Sequence, residues 1–343
     1  SAAKQFSMNA KLVLDVCQAL YEKHKLITYP RSDCRYLPKE QKKQAASIIN
    51  ILANANLPCN EQAKNADSSI SSKAWNDKKI TAHHAIIPTE KSPDKTNLNS
   101  FEKNIYLLIV RQYLTQFYPV HTFEQTKLTV NIAGGIFKTN AKTVLQQGWK
   151  VLFPHTDKKQ DQVTNHLPPL KKGQLLHCLI GELLEKHTSP PESFNDASLL
   201  AAMTGIARFV SDENIRKVLR ETDGLGTDAT RAGIIDLLFK RNFLLRQGKK
   251  IVATDVGIAL VNALPIKATL PDMTAQWESM LTGISEKKAS YLSFMEPLIN
   301  TITLMISEAN SQPFSGLPQV AFKPKKRRYK QSNSKKSIAK KVG

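Results

Sequence analysis

Between Leu128 and Lys138 apolar and polar residues alternate across a pair of glycines, a pattern that fits one kind of local structure. Leu128, Val130 and Ile132 recur at every second position, Gly134-Gly135 supplies a turn, and the alternation resumes at Phe137. This predicts an antiparallel hairpin. On both sides the period changes to that of helices. Leu12, Val16, Ala19 and Leu20 lie at helical spacing over residues 8–25, with Asn9 or Ser7 as the N-cap. Residues 39–56 continue as a helix, and residues 101–117 place Ile105, Leu108, Ile109 and Tyr113 on one face. After the hairpin, short strand-like runs are expected over 149–187, broken by a hydrophilic loop at 155–166 and by Pro168-Pro169. Past Pro190-Pro191 helices return. Ala229 to Lys240 reads as a helix, Phe243-Leu244-Leu245 and Lys250 to Ala253 as a hairpin about Gln247-Gly248, and Thr254 as the cap of a further helix. Helix, hairpin, helix is the outline of a winged-helix element, although such a hairpin serves equally as a packing device. A chain of 343 residues has room for two or three domains. The expected class is therefore multidomain α+β.

Charge narrows the partners. Forty-nine lysines and arginines face 29 acids, a net charge of +20, which favours a polyanion, nucleic acid above a membrane surface or an acidic protein. Ten of those charges lie beyond Pro313, among them Lys325, Lys326, Arg327 and Arg328, in a stretch with no acidic residue. Such a tail is expected to be disordered and to hold phosphate backbones without sequence preference. No run of about 18 apolar residues occurs, so no membrane span is expected. The four cysteines, Cys17, Cys34, Cys59 and Cys178, form no C-x-x-C pair. This argues against a zinc ribbon or a disulfide framework and fits a reducing compartment.

One short segment carries chemistry: Leu26-Ile27-Thr28-Tyr29-Pro30-Arg31-Ser32-Asp33. Pro30 forces its predecessor into an extended conformation, and the two-residue period then sets Tyr29 and Arg31 on one face. A phenol, with a pKa near 10, is a poor nucleophile at neutral pH. A neighbouring guanidinium favours the phenolate and can clamp a phosphate. In isolation such a triplet is more often a half-buried aromatic beside a snorkelling arginine.

Two further segments change that balance. Ile27 to Asp33 resembles the active-site motif of the type IA DNA topoisomerases, in which a tyrosine before Pro-Arg attacks one DNA strand. Thr81-Ala82-His83-His84-Ala85-Ile86-Ile87-Pro88-Thr89 resembles that family's A-H-x-A-I-x-P-T box, and Gly224-Leu225-Gly226-Thr227-Asp228-Ala229-Thr230-Arg231 its G-x-G-T-x-A-T-R box. The similarity runs from about residue 8 to residue 312. It implies Tyr29 as nucleophile, Arg31 as phosphate clamp and His83 near the scissile phosphate, where it stabilises charge or moves a proton. Gly224, Gly226, Thr227 and Arg231 would meet DNA, since a glycine turn opening a helix offers free N–H groups to a phosphate. Met203 to Asp223 is similar to the decatenation loop of the bacterial topoisomerase III branch, and its Arg208, Arg216, Lys217 and Arg220 are then DNA contacts. The segment Pro271 to Glu278 is similar to the same branch. No Walker A loop is present, which fits a reaction that stores the phosphodiester energy in a phosphotyrosine bond and needs no ATP.

The resemblance also implies an organisation. Residues 1–120 would form a helical domain carrying the tyrosine and 121–188 the later half of a β-rich gate. Residues 189–312 would form a winged-helix, CAP-like domain with the insert at about 203–223, and 313–343 the basic tail. The family's Toprim domain, whose acidic cluster binds Mg²⁺, has no counterpart here. No D-x-D occurs and the first residue is Ser1, so the chain is expected to be the carboxyl-terminal portion of a longer enzyme, with the metal ligands outside it. Asp228 departs from the family, which often has Pro or Glu there. Expected partners are single-stranded DNA, DNA crossings or catenanes, and the Toprim region. The expected location is the bacterial cytoplasm, at the nucleoid. The alternative expectation is a non-catalytic single-stranded DNA-binding module.

Overall fold

The computed structural model describes residues 1–80, 82–153, 167–221 and 224–311. It opens with a helical unit of α1 (Ala2–Phe6), α2 (Ala10–Glu22), α3 (Ala45–Asn54), α4 (Asn60–Lys64) and α5 (Ser100–Leu114). Asn9 caps α2 by accepting the Leu12 N–H at 2.8 Å, and Asn99 with Glu102 forms a reciprocal capping box on α5. The stretch expected to be helical from residue 39 begins as a 3₁₀ turn over Lys39–Gln44 before α3 takes over. On α5 the buried stripe is Ile105, Tyr106, Val110, Tyr113 and Leu114, while Leu108 and Ile109 flank it. Leu20, Leu26, Ile27, Ile48, Leu52, Tyr106 and Phe117 are sealed from solvent and form the centre of this core. Burial of each leucine or isoleucine contributes about 1.5–3 kcal/mol.

The hairpin follows as β1 (Thr122–Ile132) and β2 (Gly135–Gln146), antiparallel about Ala133-Gly134, with a register shift between Thr122 and Phe123. Gly148, at φ +52°, then lets the backbone approach closely, since a Cβ there would stand 2.4 Å from the Pro119 carbonyl oxygen. The strand-like runs expected over 149–187 do not form strands among the described residues. Gly148–Leu152 is a 3₁₀ turn, and residues 167–194 have no regular structure, with Leu175, Leu179, Ile180 and Leu183 exposed. A strand exists only against a partner, and no described segment forms a ladder with this one.

The second helical unit comprises α6 (Asp196–Thr204), α7 (Glu213–Glu221), α8 (Asp228–Lys240), the hairpin β3 (Leu244–Gln247) and β4 (Lys250–Ala253), α9 (Asp255–Ala263), α10 (Ile266–Thr269), α11 (Asp272–Ser285) and α12 (Tyr291–Ser311). Thr254 caps α9 by accepting the Gly257 N–H at 3.0 Å. Within the insert, α7 packs on α11 through a small core of Ala207, Val210, Leu219 and Ala275. Trp277 is half-buried. Asp196 at the start of α6 ties the two units together, accepting the Ala10 N–H at 3.1 Å and the Arg246 guanidinium at 2.5 and 3.0 Å. The architecture is mixed helix and sheet, an α+β chain with two two-stranded sheets among the described residues. No helix of the described residues is long and apolar enough to cross a membrane.

Candidate active site

The tyrosine segment is delivered by the end of α2. Lys25 takes a left-handed turn (φ 57°) and the Leu26 N–H returns to the Leu20 carbonyl at 2.9 Å. Buried His24 fixes the turn by a 3.1 Å contact between its Nε2 and Glu102 Oε1. Burial alone would push the Glu102 carboxyl up, yet the Asn99 N–H and His24 hold it below the usual carboxylate range.

The first two sequence boxes then pair with each other. Thr28 N–H donates to the Ile87 carbonyl at 2.9 Å and Thr89 N–H to the Leu26 carbonyl at 3.0 Å, around an antiparallel bridge between Ile27 and Pro88. The Thr28 hydroxyl completes the join, accepting the Ile87 N–H at 3.0 Å and donating to the Ala85 carbonyl at 3.4 Å. Past the last rung the Tyr29 ring packs on His83, with centroids 4.4 Å apart and planes at 41°, and meets Tyr21 edge-on at 5.7 Å. Pro30 is buried, Tyr29 half-buried, Arg31 and His83 exposed. The adjacent histidine is already committed: His84 donates from Nδ1 to the Ala85 carbonyl at 2.8 Å and accepts from Gln41 at 2.9 Å. Arg31 makes no ion pair among the described residues. Its charge is open to an incoming anion.

The third box lies close to the first, with α2 packed on α8. Gly224 (φ +76°) presses against the end of α6, where a Cβ would come within 2.4 Å of the Met203 carbonyl oxygen, and the Leu225 N–H donates to that same carbonyl at 2.9 Å. Thr227 and Thr230 cap α8 reciprocally. Arg231 is only 3% exposed. Its guanidinium donates to the Leu225 and Gly226 carbonyls at 3.0 and 2.8 Å and to Asp228 Oδ1 at 2.5 Å, so it is turned inward on its own loop. Burial pushes the Asp228 carboxyl up, and the charge of Asp33 pushes it further, against the pull of Arg231. The influence of Asp33 brings the third box into electrostatic range of the tyrosine segment.

In the insert, Arg208 donates to the Ala201 carbonyl at 3.2 Å and Arg216 to the Val210 carbonyl at 2.9 Å, both closing the ends of local turns. Lys217 and Arg220 are exposed on α7. Lys325, Lys326, Arg327 and Arg328 lie outside the described residues. Among the described residues no three of His, Cys, Asp and Glu gather as a metal site. Asp33 and Asp228 are two carboxylates, one already held by Arg231, and do not fit a Mg²⁺ ligand set. Sequence reasoning passed over Thr28, Tyr21 and Asp33, although the alternation through Leu26–Tyr29 gave a means of finding Thr28.

A model of the DNA topoisomerase family matches residues 1–296. The chain belongs to the bacterial type IA DNA topoisomerases. Within them it is similar to topoisomerase III. It is 50% identical to DNA topoisomerase 3 of Vibrio cholerae over 95% of this chain and 51% of the relative. It is 52% identical to that of Haemophilus influenzae over 87% of this chain and 45% of the relative. The chain thus spans about half the length of the curated relatives it matches. Full-length topoisomerase I from Thermotoga maritima shares the fold, with a TM-score of 0.62 at 18% identity over 91% of this chain and 48% of that one.

Proposed function

We propose that this topoisomerase chain supplies the nucleophilic half of a site that cuts and reseals single-stranded DNA. Tyr29 Oη attacks a backbone phosphorus, the P–O3′ bond breaks, and the strand is held as a 5′-phosphotyrosine while the freed 3′ oxygen takes up a proton. Religation reverses these steps, so no ATP is consumed. Arg31 orients the phosphate and stabilises the charge that develops on it, and His83, against the tyrosine ring, moves a proton or shares that charge. The observation that carries this assignment is the 4.4 Å packing of Tyr29 on His83, two residues from separate boxes joined by the Thr28 ladder.

The finer parts of the function are proposed from the family resemblance. The helix–hairpin–helix of α8, β3–β4 and α9 would act as a winged-helix, CAP-like element beside the strand. The β1–β2 region would serve as the later half of a gate, and the insert with Lys217 and Arg220 would engage DNA crossings or catenanes for decatenation. Arg208, Arg216 and Arg231 support this through the turns they close, and Gly224, Gly226 and Thr227 shape the phosphate-facing loop. Mg²⁺ and a Toprim region belong to the whole enzyme in this proposal. The residues present here do not fit the metal, and no step is routed through it.

The test mixes end-labelled single-stranded DNA and Mg²⁺ with this chain, alone and together with the part of the Vibrio cholerae relative that it does not match. A covalent adduct is expected in the second mixture and is lost in Tyr29→Phe. An adduct that survives that substitution would sink the assignment. Salt-sensitive binding with no adduct in either mixture would favour a non-catalytic single-strand-binding module.

A further inference from the structure

The hairpin β1–β2 has two unlike faces. Register pairs Phe123 with Val144, Gln125 with Lys142, Lys127 with Asn140, Thr129 with Lys138 and Asn131 with Ile136, and strand alternation puts all ten on one side. Every one of them is exposed. The opposite side carries Leu128, Val130, Ile132 and Ala141, half-buried or buried, beside the exposed Glu124, Thr126, Phe137 and Thr143. The exposed side holds three lysines, Lys142, Lys127 and Lys138, and no acid. Glu124 is the one carboxylate of the two strands and points to the other side. None of the three lysines has an ion-pair partner among the described residues. Lys142 instead sits over the Phe123 ring, 3.9 Å from its centroid.

Position matters as much as sign. The three lysines occupy successive levels of the ladder and zigzag between the strands, each level about 6.7 Å from the next at two residues of strand rise. This is a single file of positive charge, spaced like successive phosphates of an extended strand, with the amide side chains of Gln125 and Asn140 set across from Lys142 and Lys127 and Thr129 across from Lys138.

We infer that this face is a docking surface for the backbone of single-stranded nucleic acid, distinct from the tyrosine site. The inference rests on the proposed action on DNA and adds a second place where the chain holds the strand. One file of charge fits one backbone, and the amides across from the lysines suit base edges that a duplex keeps paired. Lysine at these positions acts on phosphate through charge, so the contribution is sequence-independent and dissolves with salt.

The experiment measures equilibrium binding of a labelled single-stranded oligonucleotide to the full chain over a range of salt concentrations. It compares the unaltered chain with Lys127→Gln/Lys138→Gln/Lys142→Gln and with a control of equal charge change, Lys73→Gln/Lys95→Gln/Lys103→Gln, on exposed lysines of the first helical unit. At roughly 0.7 per phosphate contact on a single strand, the ribbon variant should show a log K against log salt slope shallower by about 2, with the control shallower by less. Far-ultraviolet circular dichroism checks that the hairpin variant retains its fold. Equal slopes for the ribbon variant and the unaltered chain overturn the surface. So does an equal loss in the control, or a larger slope change on duplex than on single strand. Absence of any salt-dependent binding by the unaltered chain would instead overturn the DNA-directed function itself, and the adduct assay reads that function independently.

Discussion

Two arginines illustrate how one residue type divides its work at the residue scale. Arg31 follows the tyrosine, lies in solvent and has no ion pair among the described residues. Arg231 belongs to an equally suggestive motif but is buried, with its guanidinium on two loop carbonyls and Asp228. Neutral substitution should separate them. Arg231→Met leaves those acceptors without their donor and is expected to lower stability by about 3 kcal/mol, read as a lower urea midpoint. Arg31→Met should leave that midpoint unchanged and depress adduct formation with the completed enzyme. The reverse pattern would mean that the guanidinium meeting the phosphate has been misassigned. The difference was not legible in sequence, because both arginines sit in motifs of similar length. Whether a side chain turns inward depends on which carbonyls the fold leaves unsatisfied nearby, and the left-handed glycines at 224 and 226 leave two beside Arg231. The constraint on Tyr29 is local, since Pro30 limits its backbone. The role of Thr28 was not legible, since its hydroxyl bridges to a segment almost sixty residues away.

At the scale of elements, local patterns were read correctly where the chain supplies both halves of a structure. The hairpin about Gly134, the helix read from Ala229 to Lys240 and the Thr254 cap all find their partners in the same or the next element. The strand-like runs between 167 and 187 do not, and they carry β-type residues without a ladder. The joint between the two helical units was equally invisible, because it packs α2 on the distant α8 and adds one carboxylate, Asp196, whose partners lie far along the chain. Burial alone would push Asp196 up, yet the Arg246 guanidinium and the Ala10 N–H pull it below its ordinary value of 3.8. A carboxyl whose folded pKa is depressed stabilises the fold above its unfolded pKa, and that stability is lost as pH falls through the folded value. Urea unfolding followed from pH 6 downward should therefore show a loss of stability below about pH 4. That acid-dependent component should shrink in Asp196→Asn, which is less stable at neutral pH. An identical pH profile for Asp196→Asn would remove this joint from the account.

At the scale of the molecule, the net charge of +20 is shared among the tyrosine segment, the β1–β2 hairpin and the stretch beyond Pro313, which the proposed function would set against DNA in different ways. In the proposed function Tyr29 and Arg31 would meet one phosphate and the lysine file of β1–β2 a few more, while the stretch beyond Pro313 holds ten cations with no acid between them. Electrostatic contributions of this kind add when the sites are separate and bind different phosphates. Removing residues 313–343 halves the net charge and should make the salt slope for single-stranded DNA shallower by up to about 7, at roughly 0.7 per contact. Substituting the three hairpin lysines in the shortened chain should still remove a further increment of about 2. Adduct formation at low salt should persist without the tail, because bond breaking depends on Tyr29 and its neighbours rather than on accumulated charge. If the two slope changes fail to add, the hairpin and the tail compete for the same phosphates. If tail removal leaves the slope unaltered, the ten cations play no part in holding DNA, and the basic character of the chain must be assigned to its helical units instead.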